Sequence, residues 1–430
     1  MHTTIKHIST YKDKEVTLKG WLYNKRLSGK IAFLQFRDGT GIIQAIAVKN
    51  ELGEELFEQI KNLTLESSIE ITGKAVEDKR SPSGYEIQLN SLTIVHQAPD
   101  DYPIGKKEHG PDFLLSNRHL WLRSKRQWAL MRIRHQITQS IDTFYQKKDF
   151  TKLDTPIITP AACEGTTTLF ELDYFGENAY LSQSGQLYLE AAISSFGNVY
   201  DMAPVFRAEK SKTRRHLIEF WMTNAEMAYT DLDGIISIQE ELIIYLLNQV
   251  LTNCQQELKL IDRDTAPLQA IQGPFPRITH QEAVKILQDM GSDIQHGEDF
   301  GADDETLLMN HYKQPLFITH YPLDVKAFYM KPDPSQPDKA LCADLLAPEG
   351  YGEIIGGSQR IDDYDQLKQA MEKHNLPMEE YDWYLDLRKF GSVPHSGYGL
   401  GVERFIAWVC GLKHVRETIP FPRLLHRVRP

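Results

Sequence analysis

Between Val205 and Glu226 the chain reads VFRAEKSKTRRHLIEFWMTNAE. Two short apolar runs, Val205 to Ala208 and Leu217 to Thr223, flank a loop carrying Lys210, Lys212, Arg214 and Arg215, the pattern of a hairpin with a basic turn. An arginine at its base, Arg207, can grip a phosphate through a fork of parallel N–H donors, and Glu209 beside it can receive an amine or amide donor. His216 and Phe220 then stand where a flat heterocycle stacks and is held. A surface hairpin with a solvated charge run has the same composition, so this stretch alone leaves both readings open.

A second group lies in CADLLAPEGYGEIIGGSQR, residues 342–360. Asp344 and Glu353 are two carboxylates on adjoining segments, suited to Mg²⁺ bridging the phosphates of ATP, because hard cations take oxygen ligands and usually one or two carboxylates. A pair of surface acids is the plain alternative. Gly356 and Gly357 let backbone approach a ligand closely. Further on, GLGVERF opens a helix whose Phe405, Ile406, Trp408 and Val409 must be buried. Arg404 among them needs an anionic partner, either a phosphate or a structural carboxylate.

These groups require a scaffold, and its elements are legible. From Val16 to about Val95 run five short strands with one helical segment near Glu51 to Lys61 after the third, the sequence of a small Greek-key barrel of the OB type. In its second strand Ala32, Leu34 and Phe36 face one way and Phe33, Gln35 and Arg37 the other. Phe33, on a polar face with an arginine near it, is either a stacking platform for an unpaired base or a lone surface aromatic. Residues 98–117 are rich in Pro, Gly and charge and read as a hinge. Beyond it Leu130, Ile133, Ile137, Ile141 and Phe144 make one apolar stripe of a core helix. A long helix is expected over Asp233 to Leu258, a helix over ITHQEAVKILQDM, and a buried strand at PLFITHYP.

The 430 residues, 41% hydrophobic and 25% charged, suffice for two or three domains with real cores. Net charge of −11 argues against nonspecific coating of nucleic acid. Any such partner must meet local patches: Arg118 to His135, the 210–215 loop, and Arg423, Arg427 and Arg429. The cysteines Cys163, Cys254, Cys342 and Cys410 are isolated, which suggests neither a zinc ribbon nor a disulfide framework and suits a reducing cytoplasm. No apolar signal region and no run long enough to cross a bilayer are read, so no membrane partner is expected.

FRAE, a basic loop and RHLIEF resemble motif 2 of the class II aminoacyl-tRNA synthetases, in the form of the aspartyl and asparaginyl subgroup. FTKLDTPIITP at 150–160 resembles motif 1, and GLGVERFIAWVCGLKHVRETIPFPR at 399–423 resembles motif 3, all in the expected order. LSQSGQLYLEAA at 181–192, GYGEIIGGSQR and RETIPFPR are most similar to the asparaginyl branch. The resemblance implies an α+β chain: an OB-fold anticodon-binding domain at 1–97, a hinge at 98–117, and a class II catalytic domain at 118–430 with an antiparallel sheet flanked by helices. It implies ATP-dependent activation of asparagine to an asparaginyl-adenylate and transfer to tRNA(Asn), in a homodimer built on the motif 1 strand and the helix before it.

The same resemblance gives residues their roles. Arg207 and Arg404 would be catalytic and, with Glu209, His216, Phe220 and Glu353, bind ATP; Asp344 and Glu353 would hold Mg²⁺. Glu164, Ser184, Gln186, Asn224 and Arg360 would bind the amino acid, and Phe33 and Gln44 the anticodon. Where aspartyl relatives place a lysine against the substrate carboxylate stands Leu189, which favours asparagine. Two positions depart from the pattern: Asn224 replaces the glutamate usual in asparaginyl enzymes, weakening a charge-assisted acceptor by roughly a factor of two, and Thr168 replaces another glutamate. A paralogue that activates asparagine, aspartate or an analogue for another acceptor therefore stays open, as does a noncatalytic tRNA-binding or regulatory protein. Retention of Arg207, Glu209, Phe220, Asp344, Glu353 and Arg404 speaks against the last.

Overall fold

The computed structural model describes residues 1–79, 81, 83–105, 107–164, 169–211 and 213–430. The chain divides into two compact units, Met1–His109 and Gly110–Pro430.

The first unit is a closed five-stranded barrel of β1 (Glu15–Ser28), β2 (Ile31–Asp38), β3 (Gly41–Val48), β4 (Ser68–Glu77) and β5 (Tyr85–His96), in the order β1-β2-β3-β5-β4. The helical segment expected after β3 is split by Gly53 into Lys49–Leu52 and Glu54–Asn62. Alternation fills the barrel: Ala32, Leu34 and Phe36 are buried inside with Val16, Leu18, Ala45 and Ile71. Closure brings backbones together so tightly that a Cβ on Gly20 would fall 2.1 Å from the Arg37 carbonyl oxygen.

The second unit is a mixed sheet covered by helices. Its strands lie in the order Arg277–Thr279, Leu316–Thr319, Cys342–Ala347, Gly352–Gln359, His395–Gly401, Glu219–Ala228, Asn198–Tyr200 and Thr151–Lys152, with Ala203–Phe206 paired to Glu219–Ala228. Pairing is antiparallel through the middle and parallel at each edge. The Lys125–Lys147 helix begins where Ser124 Oγ accepts from the Gln127 N–H, and its five-residue apolar stripe is wholly in the core. The Leu232–Asn253 helix is capped by Asp231 in the same way. It ends five residues earlier than expected, because Cys254 leaves helical geometry at φ −118° and ψ 28°, and a separate short helix runs from Gln255 to Leu260. By length and composition this helix is also long and apolar enough to span a bilayer, contrary to the sequence expectation. Here Ile235, Leu242, Leu246 and Val250 are fully buried against the sheet and the Lys125–Lys147 helix, as core-helix positions are.

The hairpin of residues 205–226 also differs from expectation. Its strands are Ala203–Phe206 and Glu219–Ala228, so the second runs five residues past Thr223. Polar Asn224 and Glu226 suggest an end there, yet both are buried inside a central strand because each has partners across the sheet.

Candidate active site

A cavity of about 600 Å³ opens over the middle of the mixed sheet. Its wall brings together Glu164, Ser184, Gln186, Arg207, Glu209, His216, Phe220, Asn224, Asp344, Glu353, Arg360 and Arg404, drawn from segments up to 240 residues apart. The strand Glu219–Ala228 sends Phe220, Met222 and Asn224 to this face by its two-residue period. Opposite them the next strands present glycine: Asn224 pairs with Gly399, and Gly399 with Gly356. A Cβ on Gly399 would meet Met222 Cε at 2.4 Å and Asn224 Oδ1 at 2.9 Å, so the missing side chain makes the floor. Gly357 serves packing more than ligand approach, since its Cβ would strike Gln239 Nε2 on the core helix at 2.6 Å.

One end of the cavity is cationic. Arg207 follows the strand Ala203–Phe206, its backbone N–H held by the Ile218 carbonyl at 3.0 Å, and its guanidinium carbon stands 5.6 Å from the Phe220 ring centre. Burial disfavours its charge, but Glu164, Glu209 and Glu353 around it raise its pKa above the ordinary arginine value. The shielded Nε meets no hydrogen-bond partner among the described residues. Arg404 leaves its apolar helix on the cavity side, where Nη1 donates to the carbonyl and to Oε2 of Glu353, each at 3.1 Å. His216 Nε2 lies 3.5 Å from Glu209 Oε2. Burial, followed by Arg404, lowers the His216 pKa, so its imidazole is neutral near pH 7. The basic loop is less free than its composition suggests. Arg215 turns inward to Glu305 at 2.6 Å and to the Gly350 carbonyl at 2.6 Å. Lys212 lies outside the described residues.

Beside Arg404 three acids crowd together. A Cβ on Gly356 would lie 3.1 Å from Glu353 Oε1 and 3.6 Å from Asp344 Oδ1, which puts the two carboxylates on one side of that backbone. Glu305 Oε2 accepts from the Glu353 N–H at 3.1 Å. Burial, with Glu353 nearby, pushes Glu305 up to about 7; burial outweighs Lys326 at Asp344 and pushes it up to about 6. Lys326 Nζ donates to Asp344 Oδ2 at 2.8 Å. Among the described residues no three His, Cys, Asp or Glu side chains make a metal site by themselves. The donor set fits a Mg²⁺ shared with phosphate, since such an ion takes one or two carboxylates and completes its shell elsewhere.

The other end sets a carboxylate, a guanidinium and amide and hydroxyl groups around the cavity wall. Glu164 Oε1 accepts from the Tyr329 hydroxyl at 3.3 Å, and its backbone N–H is fixed by Gln183 Oε1 at 3.1 Å. Arg360 is clamped by Glu226 through Nε at 3.2 Å and through Nη2, while Nη1 donates to Ser358 Oγ at 2.7 Å. Ser184 Oγ donates to Asn224 Oδ1 at 3.2 Å. Leu189 is not on the wall but packs with Ile193 and Val199, so that position sends no cation into the cavity. Thr168 lies outside the described residues.

Residues 110–425 match the family described as tRNA synthetases class II (D, K and N), and residues 16–95 match the OB-fold nucleic acid binding domain. An asparagine–tRNA ligase of Pelotomaculum thermopropionicum is 56% identical over 99% of both chains. The chain belongs to the asparaginyl-tRNA synthetase family. Among solved structures, a Pyrococcus horikoshii asparaginyl-tRNA synthetase complexed with asparaginyl-adenylate superposes with a TM-score of 0.95, at 45% identity over 98% of this chain and 97% of that one. An Entamoeba histolytica asparaginyl-tRNA synthetase with the same adenylate gives 0.91, at 34% identity over 100% and 99%.

As a member of the asparaginyl-tRNA synthetase family the chain is an α+β protein with an OB-fold barrel and a class II catalytic unit. Three cavity residues, Glu305, Lys326 and Tyr329, and two buried residues behind its wall, Asp201 and Glu226, escaped the sequence reading. Each is marked only by an ion pair or hydrogen bond to a residue elsewhere in the sequence. The Arg118 to His135 patch, in turn, is not a free cationic face. Arg118 is buried and donates to the Ile419 and Pro420 carbonyls, Arg134 pairs with Glu403, and Arg126 with Glu417. In the barrel, Phe33 and Gln44 lie on neighbouring strands β2 and β3, where Phe33 opposes Ile46 and Gln44 opposes Gln35. The arginine over Phe33 is Arg26, 4.9 Å from the ring centre; Arg37 instead turns to Glu66 at 2.8 Å.

Proposed function

We infer that the chain is an asparagine–tRNA ligase that activates asparagine with ATP and transfers it to tRNA(Asn). The observation that carries this reading is the polar end of the cavity. Arg360 and Asn224 both line it, and a guanidinium that can donate to a side-chain carbonyl beside an amide oxygen that can accept from a side-chain NH₂ makes a pair that matches a carboxamide. In the first step an α-carboxylate oxygen of asparagine attacks the α-phosphorus of ATP and pyrophosphate leaves. In the second the terminal ribose hydroxyl of the tRNA takes the acyl group and AMP leaves. Neither step asks for a protein nucleophile. Arg207 aligns the reacting carboxylate with the phosphate and neutralises developing charge, and Arg404 meets the terminal phosphate. Phe220 stacks on the adenine while Glu209 and neutral His216 orient the nucleotide. Glu164 receives the α-ammonium, and Ser184 and Gln186 belong to the segment that encloses it. Asp344 and Glu353 would hold Mg²⁺, which supplies charge neutralisation to the polyphosphate.

A homodimer is the assembly we assign, supported by the exposed apolar side chains Ile157, Ile158, Tyr174 and Phe175 around the motif 1 strand. Four buried free cysteines suit a cytoplasmic setting. ATP–pyrophosphate exchange tests the reading: asparagine should support it and aspartate should not, with charging of tRNA(Asn) following. Exchange with neither amino acid would overturn it. In the barrel we assign Phe33 to stacking on an anticodon base, with Gln44 reading one. Phe33→Ala should then weaken tRNA binding by about 1–3 kcal/mol while leaving pyrophosphate exchange unchanged. Filter binding of tRNA(Asn) checks this, and unchanged affinity would remove Phe33 from the interface.

A further inference from the structure

Asn224 does not face the cavity alone. Its side-chain N–H donates to Asp201 Oδ1 at 2.9 Å, and its backbone N–H donates to the same oxygen at 3.0 Å. The other oxygen of Asp201 accepts from Thr155 Oγ1 at 2.8 Å. Asp201 is 1% exposed and lies behind Asn224 as seen from the cavity, to whose wall Asn224 belongs and Asp201 does not. Room for it comes from Gly185, where a Cβ would fall 1.9 Å from Asp201 Oδ2. Burial raises the Asp201 carboxyl above its ordinary value, while the three donors from Thr155 and Asn224 that converge on its two oxygens oppose that rise and use it as an acceptor.

That arrangement fixes which end of the Asn224 amide meets a ligand. An acceptor-only neighbour binds the NH₂ group, so the carbonyl oxygen must point the other way, to Ser184 and the cavity floor at Gly399. A free asparagine in this place could turn its amide over and offer donors instead, which a carboxylate side chain would accept. The charge behind the amide also polarises it, strengthening the carbonyl as an acceptor in a water-poor site.

We propose that Asp201 is a specificity-determining positioning residue: through Asn224 it presents a polarised carbonyl oxygen that accepts from a carboxamide NH₂ and repels a carboxylate. This rests on the asparagine-ligase reading above. The pocket thus carries its negative charge one hydrogen bond removed from the ligand.

The test is pyrophosphate exchange with asparagine and with aspartate for the wild type, Asp201→Asn, Asn224→Glu and the double variant. Asp201→Asn frees the Asn224 amide to turn, so KM for asparagine should rise and the asparagine-to-aspartate ratio of kcat/KM should fall at least about tenfold, with a smaller change in kcat. Asn224→Glu sets two carboxylates against each other and should lose asparagine use. The double variant moves the charge to position 224 with an amide donor behind it, and should recover asparagine exchange over Asn224→Glu. A purely structural Asp201 would lower activity with both amino acids alike. A ratio within about twofold of wild type in Asp201→Asn overturns the proposal, as does a double variant no better than Asn224→Glu. The double variant decides the matter where Asp201→Asn alone does not fold. Failure of the wild type itself with asparagine would sink the ligase reading and the proposal with it, an outcome distinct from either of these.

Discussion

Arg207→Ala is expected to lower ATP–pyrophosphate exchange by about 10³-fold or more, chiefly in kcat. A donor aimed at charge that develops only in the transition state is worth about 10²–10³ when removed singly, and in the proposed mechanism Arg207 also aligns the two reacting anions. Its surroundings sharpen the effect. Glu164, Glu209 and Glu353 all act on this guanidinium, and without it these three acids would face an anionic nucleotide, with Arg404 paired to Glu353. Arg207→Lys is the informative companion. A lysine keeps the charge but not the fork, so it should restore ground-state ATP binding better than the rate. Single-turnover exchange with the folded variant measures both parts. A loss below about tenfold in kcat for the alanine variant would remove Arg207 from the chemistry and leave it a structural cation among acids.

How much of this could be read from the chain follows from where the information lies. The barrel, the core helix and the strand at Leu316–Thr319 rest on alternation and apolar stripes, which are local, and there the chain and the fold agree closely. Arg207 is legible as the arginine at the base of a basic hairpin, and Glu353 and Arg404 because charged residues beside glycines or within an apolar run call for partners. The misses share one cause. Glu226 and Asn224 ended a strand too early on paper because a polar residue looks solvent-facing until its partner is known, and Arg360 and Asp201 are far from them in sequence. The Arg118 to His135 run left a phosphate-contacting patch and a solvated face both open, because the carbonyl and carboxylate partners of its Arg118, Arg126 and Arg134 come from residues 403–420 and meet them only in the fold. Asn224 illustrates the gain. In the chain it is a weakened acceptor; in the fold a buried aspartate, invisible from the local sequence, stands behind it and takes its amide N–H.

The same logic of distant partners gives the largest stability effect. Glu190, fully buried, accepts from Gln186 at 3.0 Å, from the Tyr384 hydroxyl at 2.7 Å and from Arg388 at 2.6 Å, and His395 Nε2 lies 3.0 Å from it. It thereby ties the helix Gln186–Phe196 to the helix Asp382–Lys389 and to the strand entering motif 3. Burial alone would raise its pKa, but Arg388 and His395 outweigh burial and hold it well below the ordinary carboxylate value of 4.5. A carboxylate depressed in the folded state adds stability that is full above its unfolded value and is lost as pH falls toward the folded one. Stability should therefore be nearly flat from neutral pH to about 5 on this account and fall steadily below 4.5. Glu190→Gln keeps the shape, removes the charge and leaves the buried Arg388 unpaired, so we expect a loss of about 3–5 kcal/mol at pH 7 and a shallower acid limb. Gln186 keeps only a neutral acceptor at position 190, a weaker anchor than the carboxylate, and KM for asparagine should rise in whatever fraction remains folded. Urea unfolding of both chains at pH 7 and pH 4 measures the loss and its slope together. A variant within about 1 kcal/mol of wild type, with the same acid slope, would show that Arg388 finds a second partner when Glu190 is gone and that this ion pair does not bind the motif 3 strand to the amino-acid pocket.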